Sequence, residues 1–215
     1  FCLLLSLGRL ITYLFRDFPL ATDISNIVRG PVVYGLMISA SLYWIYENNF
    51  IKSRPFTNYY FPFIKDKFPE QLGDVTSEEF YRAINIAQPS LIRTEADELT
   101  YCLHIIIRYE LELGLMEKTI KVDELPVKWK EKMSEYLGIE PSDDTSGVLQ
   151  DVHWSSGYFG YFPTYALGTA FAAQLEHYMR KDMDVDAKLA SGDFLDITKW
   201  LTDKVHRHGA MYSPV

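Results

Sequence analysis

The chain has 215 residues, 48% of them apolar and 23% charged, an ordinary globular mixture that can close a hydrophobic core and carries no disordered or collagen-like bias. Lysine and arginine number 21 against 29 aspartates and glutamates, so a net charge of −8 repels a nucleic-acid backbone and removes DNA and RNA from the partners to consider. The two cysteines, Cys2 and Cys102, supply neither a disulfide framework nor a cysteine zinc site, which fits a reducing, cytoplasmic setting.

In chain order, residues 1–8 are apolar but have no basic stretch in front and no small-residue cleavage site behind, so they are not read as a signal peptide. Charge is unevenly placed: Arg9, Arg16, Asp17, Asp23 and Arg29 are the only charged side chains before Glu47. Residues 30–46 (GPVVYGLMISASLYWIY) run 17 positions without a charge. That is just short of the ~18–20 a membrane-spanning helix needs. A buried core helix is the expectation there, with a membrane-tethered helix as its alternative.

Beyond Glu47 the text reads as helices separated by polar breaks. Thr76, Ser77, Glu78 and Glu79 form a capping box that opens a helix to about residue 87, and Pro89 with Ser90 starts another. Leu99, Leu103, Ile106, Glu110 and Leu113 recur at helical spacing, which predicts the longest helix over residues 95–117. A helix over 123–136 tolerates Pro126 in its first turn, and 138–147 is a polar loop. Residues 163–180 predict a helix rich in small residues (Ala166, Gly168, Ala170, Ala172, Ala173) that allows close helix contact. The last helix, 193–208, closes at Gly209 with Lys204, His206, Arg207 and His208 near its carbonyl end. Strand signals are nearly absent, so an all-α fold is expected.

Five histidines are available for chemistry, His104, His153, His177, His206 and His208, and none precedes residue 104. The helical H-E-x-x-H zinc pair is therefore missing. His206 and His208 point to different sides of a helix, His177 reads as solvated, and His104 reads as a core histidine. His153 differs, because it lies in G-V-L-Q-D-V-H-W-S-S-G-Y-F-G-Y-F-P-T-Y, residues 147–165, poor material for a core helix. There Asp151 can orient the imidazole, and Tyr158, Tyr161 or Tyr165 can donate to a developing oxyanion. A purely structural aromatic turn explains the same text. A second cluster, I-R-T-E-A-D-E at 92–98, holds Arg93, Glu95, Asp97 and Glu98, with Arg93 and Asp97 at i, i+4. Its plainest reading is a capped helix start.

Taken together, I-R-x-x-A-D-E (92–98) and G-x-x-Q-D-x-H-W (147–154) resemble two signature motifs of the carboxypeptidase Taq family of zinc carboxypeptidases. F-P-E-Q-L-G-D-V from Phe68, E-E-F-Y-R-A-I-N from Glu78, P-S-L-I-R from Pro89, F-G-Y-F-P-T-Y-A-L-G from Phe159 and H-R-H-G from His206 resemble the family's flanking text, from about residue 45 to the end. The resemblance implies an almost wholly helical, zincin-type array walling a deep groove, in a cytoplasmic and frequently homodimeric enzyme that removes C-terminal residues from peptides. It implies Arg93 as the grip on the substrate carboxylate and His153 and Tyr165 as steadying the tetrahedral intermediate. Asp97, Glu98, Gln150 and Asp151 are implied as supporting residues.

The chain also departs from the family pattern. Members carry H-E-x-x-H and, further on, H-E-S leading into W-E-N, the glutamate being the third zinc ligand. Here I-Y-E-N at 45–48 aligns with the end of that segment, which puts Ser39 and Ala40 at the His and Glu positions and the paired histidines near Leu10 and Leu14. None of these is a zinc ligand, so no metal-binding residue is assigned and the chain is expected to be inactive by itself. Upstream family motifs and the usual terminal helix are missing too. Residues 1–45 are therefore expected to be a degenerate or frameshifted segment, and 46–215 the C-terminal helical portion of a carboxypeptidase Taq-like domain. Two alternatives are a non-catalytic helical protein that binds peptide C-termini and the membrane-tethered protein noted above.

Overall fold

Prolines and short polar caps set where helices begin in this chain, because a helix start leaves four backbone N–H groups without partners. The computed structural model describes residues 31–209 and 211. Every regular element among them is helical. Helix α1 (Pro31–Trp44) runs directly into a π-helical segment, Ile45–Ile51. Helix α2 (Arg54–Lys67) follows, capped by the Ser53 side chain, then the single turn α3 (Pro69–Leu72) and α4 (Ser77–Ile84). After a 3-10 turn at Arg93–Glu95 comes α5 (Tyr101–Met116), then α6 (Leu125–Leu137), α7 (Pro163–Asp182), α8 (Val185–Ser191) and α9 (Phe194–Leu201).

Three apolar cores result. The largest joins Ile45 and Phe50 to Ala172 and Met179 of α7, Val185 and Leu189 of α8, and Ile197 and Leu201 of α9. A second packs Ile107 and Leu111 of α5 on Trp129 and Met133 of α6, and a third holds Ile105, Phe162 and Ala166. Small residues decide the α1–α7 distance: a Cβ on Gly168 would lie 2.8 Å from the Ala40 Cβ and 3.3 Å from its carbonyl carbon, so only a hydrogen fits. Of the five small residues expected to allow close contact, Ala166, Gly168 and Ala172 are buried, while Ala170 is half-buried and Ala173 is exposed.

The capping box at Thr76 and Glu79 forms as expected. So does the break after α6, where Gly138 takes φ +69 and ends the helix in the left-handed region that favours glycine. Other expectations need correcting. No helix starts at Pro89 or Ser90, which lie in irregular chain. The helix expected over 95–117 starts only at Tyr101, because Asp97 turns its carboxylate onto the amides of Leu99 and Thr100 and Ala96 is extended. The longest described helix is instead α7, with 20 residues. Helices α2 and α8 had no sequence expectation: Pro55 and Pro62 interrupt the pattern of α2, yet Pro55 costs no hydrogen bond in a first turn.

Helix α1 has 14 residues, and no described helix is long and apolar enough to cross a membrane. Ser41 is buried while Tyr43 is exposed, so its described part is half-buried. The apolar run at 1–8, Cys2 and the positions near Leu10 and Leu14 lie outside the described residues.

Candidate functional site

Helix α5 is largely apolar, and apart from Glu110 its histidine and charged side chains fall on one stripe. His104, Arg108 and Glu112 recur every four residues, which places them on one helical face, and all three are buried. A buried charge must be paired and hydrogen-bonded to persist, and the 147–162 segment supplies the partners. Arg108 is fully buried: its Nε donates to Asp151 Oδ2 (2.5 Å), its Nη2 to Gln150 Oε1 (2.9 Å) and its Nη1 to the His104 carbonyl (2.8 Å). The guanidinium also lies 4.7 Å from the Trp129 ring centroid.

Arg93 completes the network from the other side. Its Nε and Nη2 both donate to Asp151 Oδ1 (3.0 and 2.7 Å), and its Nη1 donates to the Tyr101 hydroxyl (3.2 Å). Its backbone N–H donates to Gln150 Oε1 at 2.9 Å, so one amide oxygen serves both arginines. The amide nitrogen of Gln150 donates to the carbonyls of Leu91, Ser146 and Gly147, tying the two sequence motifs together across 57 residues. Burial alone would raise the Asp151 carboxyl, but Arg108 and Arg93 hold it below its ordinary range. Burial pushes Arg108 down to about 10, which still leaves it charged at neutral pH.

His153 sits at the edge of this network. Its Nε2 lies 3.2 Å from the Tyr165 hydroxyl, and its ring centroid is 4.4 Å from that of Phe162. Asp151 does not orient the imidazole in the way the sequence allowed. Its Oδ1 is 3.8 Å from Nδ1, too far for a hydrogen bond, because both carboxylate oxygens are taken by the arginines. Burial lowers the His153 pKa, and Arg93 and Arg108 add to that against the opposing pull of Asp151, so the ring is neutral at pH 7. Burial raises Tyr165 to about 12, so its hydroxyl keeps its proton. Of the other two tyrosines, Tyr158 is exposed while Tyr161 stacks edge-on against Tyr165.

Arg93, Gln150, Asp151, His153 and Tyr165 thus come together, whereas Asp97 and Glu98 serve a different place. Asp97 accepts from Gln88 N, Leu99 N, Thr100 N and the Thr100 hydroxyl, which replaces the i, i+4 pair with Arg93 expected from spacing. With Glu98 it lines a cleft of about 380 Å³ shared with Lys52, Asn85, Cys102 and Thr169. Burial raises the Glu98 carboxyl there.

Arg108 and Glu112 were not singled out from the sequence. The signal was present as polar residues spaced by four in an apolar helix, but spacing does not say that such a stripe is buried. Glu112 accepts from the Trp154 indole N–H (2.6 Å) and the Gly160 backbone N–H (3.1 Å), so one carboxylate ties down both ends of the aromatic turn after His153. Burial pushes it up to about 7. His104 is buried as expected, and burial with the two arginines brings it down to about 4.

The chemistry on offer is cationic and hydrogen-bonding: two guanidiniums, a neutral imidazole and a phenol beside aromatic faces. The residues present do not fit zinc. Ala40 stands where the family's third ligand, a glutamate, would be needed and carries only a methyl wedged toward Gly168, Ser39 stands at the neighbouring His position, and no three His, Cys, Asp or Glu among the described residues converge on a metal site.

Comparison with known proteins agrees with this architecture. The family model described as carboxypeptidase Taq (M32) metallopeptidase matches residues 23–215. Carboxypeptidase 1 of Bacillus subtilis is 48% identical over 182 residues, covering 84% of this chain and 36% of that protein. Thermostable carboxypeptidase 1 of Pyrococcus furiosus is 40% identical over 188 residues, 87% of this chain and 37% of its own length. Among solved structures, the M32 carboxypeptidase of Deinococcus radiodurans R1 superposes with TM-score 0.79 at 39% identity, over 83% of this chain and 36% of that one. The chain spans little more than a third of the length of the curated relatives it matches.

Proposed function

We propose, from the premise that this chain belongs to the carboxypeptidase Taq (M32) metallopeptidase family, that it is the C-terminal part of such a peptidase and binds peptide C-termini without hydrolysing them. Arg93 receives the terminal carboxylate through the N–H groups that Asp151 and Tyr101 leave free, since a guanidinium fork matches that group. His153 and Tyr165 form the polar wall beside it, and Gln150 and Asp151 hold that wall in register. Asp97 and Glu98 shape the adjoining cleft. The observation that carries the reading is the convergence of the two motifs on the Arg93–Asp151–Arg108 network next to His153 and Tyr165.

Hydrolysis in this family needs a divalent ion to polarise the scissile carbonyl, and no donor set to hold one is found among the described residues. Residues 1–45 are read as the degenerate counterpart of the metal-holding segment. The change in charge at Tyr46 supports this, and a family match reaching back to residue 23 favours drift over foreign text for 23–45. A cytoplasmic setting and a homodimer belong to the same reading.

Two measurements test it. Titration with an N-acetylated free-acid peptide and its C-terminal amide should show binding of the acid alone. Elemental analysis and a blocked-dipeptide assay should show neither stoichiometric zinc nor release of the last residue. Zinc with turnover overturns the non-catalytic reading, and equal binding of acid and amide overturns the role of Arg93.

A further inference from the structure

Arg93 by itself is a poor receptor for a carboxylate, because Asp151 already neutralises it through two hydrogen bonds to Oδ1. Arg108 changes that balance. It takes the other oxygen of the same carboxylate, so two buried guanidiniums share one negative charge and the cluster keeps one positive charge in excess. Glu112, one turn further along the same buried face, is pushed by burial to about 7 and so toward its uncharged form, and it bonds Trp154 and Gly160 instead of an arginine. The third polar partner, Gln150, is neutral, His104 is brought down to about 4, and Tyr101 is raised by burial. The Phe162 ring lies near both guanidiniums, its centroid 5.7 Å from that of Arg93 and 5.4 Å from that of Arg108, which adds attraction without adding charge. Buried surplus charge of this kind acts over longer range than charge in water, since the surroundings screen it little.

We propose that Arg108 is a positioning and recognition residue that never touches the peptide: it supplies the unbalanced positive charge that lets Arg93 take a peptide carboxylate while staying paired with Asp151. This deepens the peptide-binding reading and rests on it. It also gives a reason for an arginine at full burial, where a hydrophobic residue against Trp129 would pack at no desolvation cost.

The test is a charge series read with the same acid and amide peptides by calorimetry. Arg108→Gln leaves the cluster neutral and should weaken the free acid by about tenfold or more while leaving the amide unchanged. Asp151→Asn raises the excess charge and should tighten the acid. Arg108→Lys should keep most of the preference. The deciding variant is the double Arg108→Gln/Asp151→Asn, which restores the excess positive charge without Arg108 and should regain the acid preference. It also stands in for the single variant if that one does not fold. A second readout is the His153 pKa by NMR, which should rise in Arg108→Gln and return in the double variant, since both arginines lower it in the parent chain. A parent chain that does not discriminate acid from amide refutes the peptide-binding reading itself. A parent that does discriminate, with a flat charge series or a double variant that stays blind to the carboxylate, refutes the role of Arg108 alone.

Discussion

Two interiors, one drawing on Ala172 and Met179 of α7 and one on Tyr165 in its first turn, are held by different physics. Around Ile45, Phe50, Met179, Leu189, Ile197 and Leu201 the contacts are apolar, and shape does the selecting. Around Arg93, Arg108 and Asp151 the contacts are charges removed from water, with each oxygen of the Asp151 carboxylate matched to a named guanidinium. The first kind of interior tolerates exchange among residues of similar volume, whereas the second fails when any one partner is lost. Among the described residues no metal-holding cluster is found, whereas the charged interior is complete.

The strongest way to break the comparison is Asp151→Asn, which leaves two buried guanidiniums facing each other and should cost about 3–5 kcal/mol by urea denaturation. The same variant sharpens it in acid. Asp151 is held below its ordinary 3.8, so its stabilisation is present above that pH and is lost as pH falls through the folded value, a decline the variant should not show.

Next comes the seam between the two interiors. Gly168→Ala forces the α1 backbone away and should cost about 1–3 kcal/mol, a shape penalty with no pH dependence. Glu112 is the intermediate case, a charge in the polar interior with hydrogen bonds and no cation. Its pKa stands at about 7 against an ordinary 4.5, so the folded state holds the proton more tightly. Its favourable contribution is complete below pH 4.5 and is lost as pH rises through about 7, and Glu112→Gln should flatten that decline in the urea midpoint. The smallest effect belongs to the apolar side, where Ile197→Val should cost about 1 kcal/mol and leave the pH profile untouched.

Much of the helical framework was legible in the sequence because its signals are local. The Thr76 and Glu79 box, Pro126 in a first turn, Gly138 at a helix end and the small residues of α7 all act within a few positions. Where local signals conflicted, reading failed: Asp97 looked like one more acid near a helix start and is the group that delays the helix to Tyr101. Pro62 hid α2 for a similar reason, since its neighbours decide whether a proline breaks a helix.

The candidate site divides the same way. Its members Arg93, Gln150, Asp151 and His153 could be named from two motifs and Tyr165 from the text that follows them, and the absence of paired histidines before residue 104 could be counted. The sequence by itself therefore determined a helical chain, its family and the absence of an H-E-x-x-H pair from these 215 residues, because residue identity and short spacing are written along the chain. Only the tertiary structure decided that Asp151 serves two arginines instead of His153, that Arg108 leaves a positive charge unbalanced, and that Glu112 secures the aromatic turn. Those facts depend on which side chains meet across 40 to 60 positions and on how little water reaches them, and burial is a property of the packed chain alone.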